Sequence, residues 1–147
     1  MPKPITPFVG CDTFVLNNEG QVLLIKRADS NLWALPGGCH DLGETPANCA
    51  IREYFEETGY KIKLLRLLGV FSSNCYEYVY NPWKENEFCH ILFQGVVLGG
   101  DKTTSEETLE VGWFSYDELP PLYDGHESRI QFAFKAIQSN NFEPYFE

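Results

Sequence analysis

The segment Gly37–Tyr60, GGCHDLGETPANCAIREYFEETGY, constrains this chain more than any other stretch, because it both fixes a helix and loads it with charge. Thr45 stands as an N-cap, Pro46 at the first helical position and Gly59 just past the end, so a helix is predicted between them. Ala47, Ala50, Ile51 and Tyr54 recur at helical spacing and are expected to face a core, while Glu53, Glu56 and Glu57 turn toward the preceding glycine loop. Glutamates three and four apart repel by a few tenths of a kcal/mol per pair. A hard divalent cation reverses that sign, since Mg²⁺ takes carboxylate oxygens and is shared with waters and substrate phosphates.

Around this helix the chain reads as one domain of mixed strands and helices over residues 1–147. Phe8 to Leu16 and Gln21 to Arg27 read as strands joined at Asn17-Asn18-Glu19-Gly20, a predicted hairpin. Leu32 to Leu35 is a short apolar strand that stops at Pro36-Gly37-Gly38, where glycines permit backbone conformations other residues avoid. Lys61 to Ser72, Glu87 to Leu98 and Glu110 to Tyr116 are further strands. A second helix is predicted from Gly125 to Ser139, with Ile130, Phe132, Ala133, Phe134, Ala136 and Ile137 as its apolar set. The order suggests a sheet packed between helices.

Composition narrows the function classes. A formal charge of −10 opposes nonspecific binding to nucleic acid or to an anionic membrane surface. No apolar run approaches the roughly 18 residues that span a bilayer, and MPKPITPFVG lacks a secretory core, so a cytoplasmic protein is expected. The five cysteines, Cys11, Cys39, Cys49, Cys75 and Cys89, contain no C-x-x-C pair and read as reduced thiols rather than a disulfide framework or zinc ribbon. Cys39-His40 lacks partners at ligand spacing and reads as plain loop. His90 reads as a core or cross-strand histidine, and His126 with Glu127 as cap or decoration of the second helix.

The segment resembles the Nudix hydrolase signature: a glycine, five residues, a glutamate, seven residues, then Arg-Glu-apolar-any-Glu-Glu-any-Gly-apolar. Gly38, Glu44, Arg52, Glu53, Glu56, Glu57 and Gly59 meet every fixed position, and WALPGG and WFSYDELP also look like the family. Tyr54 and Tyr60 depart from it, standing where an aliphatic residue is usual. The resemblance implies an α/β Nudix fold, a mixed β-sheet sandwiched between α-helices. It also implies hydrolysis of a nucleoside diphosphate linked to another group X, with Mg²⁺ or Mn²⁺ as cofactor. Attack on a pyrophosphate needs charge neutralisation, an activated water and a rigid platform. By this likeness Glu56 and Glu57 are the first choices for metal ligands, with a backbone carbonyl of Gly37 or Gly38, and Glu53 is either a ligand or the general base. Arg52 stays protonated and orients a carboxylate of the cluster; Glu44 supports the site. Family members often add an acidic residue from a later loop; Glu106, Glu107 and Glu110 are candidates, with Glu107 and Glu110 favoured.

Lys26 and Arg27 are candidates for substrate phosphate, Arg27 being the better bidentate donor, and ordinary surface charge is the alternative. Tyr76, Tyr78, Tyr80 and Trp83 either stack a nucleobase or form one aromatic face of a strand, with Trp33 and Phe88 as lesser stacking candidates. Cys49 is expected to be a small buried hydrophobe. Within the family the expected substrate is ADP-ribose or a nucleotide sugar. Nucleoside triphosphates, dinucleoside polyphosphates and a non-catalytic nucleotide-sensing module are the alternatives. Many members dimerise, so a homodimer stays open.

Overall fold

The computed structural model describes residues 7–72 and 87–147. Among the described residues, eight strands form two sheets. A mixed five-stranded sheet has the order β4-β1-β6-β5-β8, and a three-stranded antiparallel sheet the order β3-β2-β7. The strands are β1 (Phe8–Val15), β2 (Val22–Arg27), β3 (Trp33–Ala34), β4 (Gly37–Cys39), β5 (Tyr60–Ser72), β6 (Phe88–Gly100), β7 (Thr108–Phe114) and β8 (Tyr145–Phe146), with helices α1 (Pro46–Thr58) and α2 (His126–Gln138).

Strand β2 shows why the sheets sit between the helices. Val22 and Leu24 pack in one cluster with Phe14, Leu68 and the α2 residues Ile130, Ala133 and Phe134. Their alternate neighbours Leu23 and Ile25 pack in another with Val15 and Tyr54 of α1. Successive side chains of a strand point to opposite faces, so one short strand feeds both cores. The predicted hairpin is corrected by this arrangement: β1 and β2 enter different sheets and pair their backbones only at a single bridge from Leu16 to Val22, beside the turn closed by Asn17 N–H to the Gln21 carbonyl.

Helix α1 has the predicted limits. Thr45 accepts a hydrogen bond from Asn48 N–H at 3.1 Å, and Gly59 takes φ 82°, donating its N–H to Phe55. Its buried face is Cys49, Ala50, Tyr54 and Thr58, whereas Ile51 is 36% exposed, so the core stripe is rotated from the expected one and Cys49 replaces Ile51 on it. The end of α1 is tied to the segment before β7. Thr103 N–H donates to the Thr58 carbonyl at 2.9 Å, and a Cβ on Gly59 would meet Thr103 Oγ1 at 2.7 Å.

β3 ends at Ala34, before Pro36 as expected, and Gly37 and Gly38 open a further strand. β4 pairs antiparallel with β1, Gly38 opposite Cys11 and Gly37 opposite Asp12. Neither glycine has positive φ, so their role is close approach. A Cβ on Gly37 would overlap Asp12 Oδ1 and the Cys11 carbonyl, and one on Gly38 would lie 2.5 Å from Glu53 Cδ.

Candidate active site

The site is assembled where β4 passes α1. Glu53 and Glu57 are four residues apart and project together, whereas Glu56 is turned about 100° from Glu57 around the helix and shares its line with Arg52. Accordingly Glu53 and Glu57 line a cavity of about 660 Å³, and Glu56 lies outside its lining, ion-paired to Arg52 at 3.2 Å. The volume lies in the range usual for small-molecule sites.

Arg52 organises the outer rim. Its Nε and Nη2 donate to the two carboxylate oxygens of Glu44 at 3.0 and 2.8 Å, a bidentate fork, and Nη1 donates to Glu53 Oε1 at 2.9 Å. That fork and the backbone N–H of Asp41 hold the Glu44 carboxyl down at about 2. Arg52 itself is pushed further up by Glu44 and Glu53, so it stays charged. Glu44 therefore supports Arg52 and lies outside the cavity lining rather than among substrate-contacting residues.

Which glycine carbonyl faces the glutamates follows from strand alternation. Thr13 N–H bonds the Pro36 carbonyl and His40 N–H the Val9 carbonyl, so residues 36, 38 and 40 turn their polar groups toward β1. The polar groups of Gly37 point the other way, and its N–H donates to Glu57 Oε1 at 3.2 Å. Gly37, rather than Gly38, thus offers a carbonyl on the helix side. The Gly38 carbonyl is engaged instead by the Cys49 thiol at 3.7 Å.

Burial first, and then the charge of Glu53, raises the Glu57 carboxyl well above its ordinary range; Glu53 is raised by burial, with Arg52 opposing. Two carboxylates that hinder each other's ionisation fit a cation between them. Among the described residues no three Asp, Glu, His or Cys side chains converge into a ready cage. Two carboxylates and a carbonyl are an all-oxygen set suited to Mg²⁺ or Mn²⁺, which keep places for water and phosphate.

Arg27 lines the same cavity, with its Nη2 2.8 Å from Asp29 Oδ2 and its Cζ 4.1 Å from the centre of the Tyr123 ring. Lys26 does not line it, because it sits opposite Glu110 on the adjacent strand and the register shifts between Lys26 and Arg27. Glu110 is outside the lining for the same reason, while Glu106 and Glu107 are part of it. Phe88 lines the cavity; Trp33 packs edge-on to Phe114 at 4.8 Å. Tyr76, Tyr78, Tyr80 and Trp83 lie outside the described residues.

Sequence reasoning missed a second set of cavity residues. Asp12, His126 and Arg129 are 6%, 6% and 1% exposed and line the cavity beside His90. His126 is a buried acceptor for the Leu35 N–H at 3.1 Å, which corrects its reading as cap or decoration. A signal was available: residues 126, 129, 130 and 133 fall on one helical stripe, and two of them are polar.

A NUDIX domain model matches residues 6–134. A putative 8-oxo-dGTP diphosphatase of Bacillus subtilis is 37% identical over 111 residues, covering 76% of this chain and 68% of its own length. An ADP-ribose pyrophosphatase of Methanocaldococcus jannaschii is 33% identical over 122 residues, covering 80% and 68%. The crystal structure of an ADP-ribose pyrophosphatase from Streptococcus suis superposes with a TM-score of 0.80 at 26% identity, covering 97% of this chain and 100% of the other. The chain spans about half to two thirds of the length of the curated relatives it matches. No described helix is long and apolar enough to cross a membrane.

Proposed function

The chain belongs to the Nudix family of hydrolases acting on nucleotide derivatives, and on that premise we propose that it cleaves the anhydride of a nucleoside diphosphate linked to X, yielding a nucleoside monophosphate and a phosphorylated X. The reading is carried by the convergence of Glu53, Glu57 and the outward edge of Gly37 on one cavity that also receives Arg27. Glu53, Glu57 and the Gly37 carbonyl would hold Mg²⁺ or Mn²⁺, which when bound supplies charge neutralisation at the phosphoryl oxygens and acidifies an attacking water.

The chain's own groups do the rest. Arg52, permanently protonated, fixes one oxygen of Glu53 and leaves the other directed to serve as ligand or base. Arg27, steadied by Asp29 and Tyr123, meets substrate phosphate with a preorganised fork. Glu106 and Glu107 bring further carboxylates to the opposite rim, and Glu107 is the favoured one.

ADP-ribose or a nucleotide sugar remains the favoured substrate, supported by the names of the Methanocaldococcus and Streptococcus relatives. The Bacillus relative's name favours a nucleoside triphosphate as the second reading. A sensing module without catalysis is disfavoured because every signature residue is retained. We read the 147 residues as one domain acting in the cytoplasm. The test is incubation with ADP-ribose, nucleotide sugars, nucleoside triphosphates and dinucleoside polyphosphates, with and without Mg²⁺. Mg²⁺-dependent monophosphate release from a diphosphate conjugate is expected; nucleotide binding without product in any metal would establish the sensor instead.

A further inference from the structure

Strand β3 ends at Ala34 in the small sheet and β4 begins at Gly37 in the large one, so the chain changes sheets over Leu35 and Pro36 alone. Whatever fixes Leu35 therefore sets the direction from which Gly37 arrives beside Glu57. The far side of this crossing is secured at Pro36, whose carbonyl accepts Thr13 N–H of β1 at 3.1 Å. The near side depends on Leu35, which is 2% exposed, so its N–H must find a partner within the protein.

The regular partner is already taken. Residues 121–123 run parallel to β3, with Trp33 N–H donating to the Pro121 carbonyl at 2.9 Å and Tyr123 N–H to the Trp33 carbonyl at 2.7 Å. One step along such a ladder, Leu35 N–H would donate to the Tyr123 carbonyl. The chain instead turns into α2 at Gly125, φ 80°, and the backbone N–H of His126 donates to that carbonyl at 3.2 Å. The side chain of the same residue supplies the substitute: Leu35 N–H donates to His126 Nδ1 at 3.1 Å. Burial, reinforced by the Arg129 charge, keeps this imidazole neutral and so able to accept. Two residues on, Gly37 N–H donates to Glu57 Oε1 at 3.2 Å. Little slack separates the two bonds, because the ring of Pro36 locks its φ.

We propose that His126 is a positioning residue for hydrolysis: through Leu35 it holds the crossing between the sheets, and so aims the Gly37 carbonyl and the Glu57 carboxylate at a divalent cation. The proposal rests on the reading of Glu53, Glu57 and Gly37 as the groups that hold that cation, and adds what keeps Gly37 in place. His126 acts by where its acceptor stands. An amide that puts an oxygen at the Nδ1 position serves in its stead, and one that carries its oxygen further out does not.

The test is Mn²⁺ binding by the full chain without substrate, with the free ion read by electron paramagnetic resonance, on the wild type, His126→Asn and His126→Gln. The Asn oxygen falls near the place of Nδ1 and the Gln oxygen near that of Nε2, so the first keeps an acceptor for Leu35 and the second withdraws it. Amide hydrogen exchange at Leu35 reads that bond directly, with protection surviving in His126→Asn and falling in His126→Gln. His126→Gln is expected to weaken Mn²⁺ binding about tenfold, as loss of a group that orients a metal ligand does, and His126→Asn to stay within about threefold of the wild type. Unchanged Mn²⁺ affinity in His126→Gln with Leu35 deprotected overturns the proposal. So does an equal loss in both variants, which would assign the effect to the ring rather than to its acceptor. A wild type that binds no Mn²⁺ sinks the reading of the three groups as ligands and this proposal with it, whereas binding that both variants keep sinks only the role of His126.

Discussion

Replacing Gly38 by alanine places a methyl group against the carboxylate of Glu53. The new Cβ would stand 2.5 Å from Glu53 Cδ and 2.6 and 2.7 Å from its two oxygens, against an ordinary contact near 3.4 Å. The carboxylate must therefore retreat by close to an ångström. It is the end of a flexible side chain, so the fold accommodates the change, and loss of a glycine's freedom in the unfolded chain offsets part of the cost. Misplacing a reacting or metal-holding group by about 1 Å costs on the order of 10²-fold in rate. Gly38→Ala is thus expected to lower kcat/KM about 10²-fold with nearly unchanged unfolding temperature. Gly37→Ala supplies the contrast: its Cβ would overlap the Cys11 carbonyl and come within 2.7 Å of Asp12 Cα, and backbone cannot step aside. That variant is expected to lose ~1–3 kcal/mol or more, a fall of roughly 3–10 °C. Calorimetry and steady-state kinetics on both proteins read the two effects. If Gly38→Ala kept wild-type turnover while losing stability like Gly37→Ala, the assignment of Glu53 to the chemistry would be wrong.

Glu57→Gln is expected to lower Mg²⁺-dependent kcat/KM by about 10²-fold or more, and Glu56→Gln to lose less, because Glu56 stands outside the cavity; initial rates at saturating Mg²⁺ rank them. Arg52→Lys removes the fork on Glu44 and should weaken activity roughly 10–100-fold, read as a shift in the Mg²⁺ concentration giving half-maximal rate. Folding stability should also carry a histidine signature. His90 takes no proton when folded until about pH 2 but does so near 6.5 when unfolded, so it destabilises the fold increasingly as pH falls below 6.5. Compared with His90→Asn, the wild type should lose about 1.4 kcal/mol more per pH unit through that window, measured by urea unfolding at stepped pH.

The parts of the molecule that sequence made legible are those governed by neighbours along the chain. Thr45, Pro46 and Gly59 bound α1 because capping is local, and the spacing of Glu53 and Glu57 is helical geometry. The turn of Glu56 away from Glu57 follows from the same helical spacing, whereas the anchoring of its partner Arg52 by Glu44 depends on how the loop folds back. The split of β1 and β2 into two sheets was hidden because Asn17-Asn18-Glu19-Gly20 looks the same whether its flanking strands pair or diverge. Asp12 and Arg129 were invisible as a pair: they stand far apart in sequence on a strand and a helix, and only the packing of α2 brings them to 3.4 Å.

The knot between the end of α1 and the segment before β7 has a mechanical consequence. Because Thr103 hangs from Thr58, the strip that carries Glu106 and Glu107 takes its bearings from the helix that carries Glu53 and Glu57. The two acidic rims are then one lever rather than two. A disturbance at Gly59 would swing both off target together, though it touches neither.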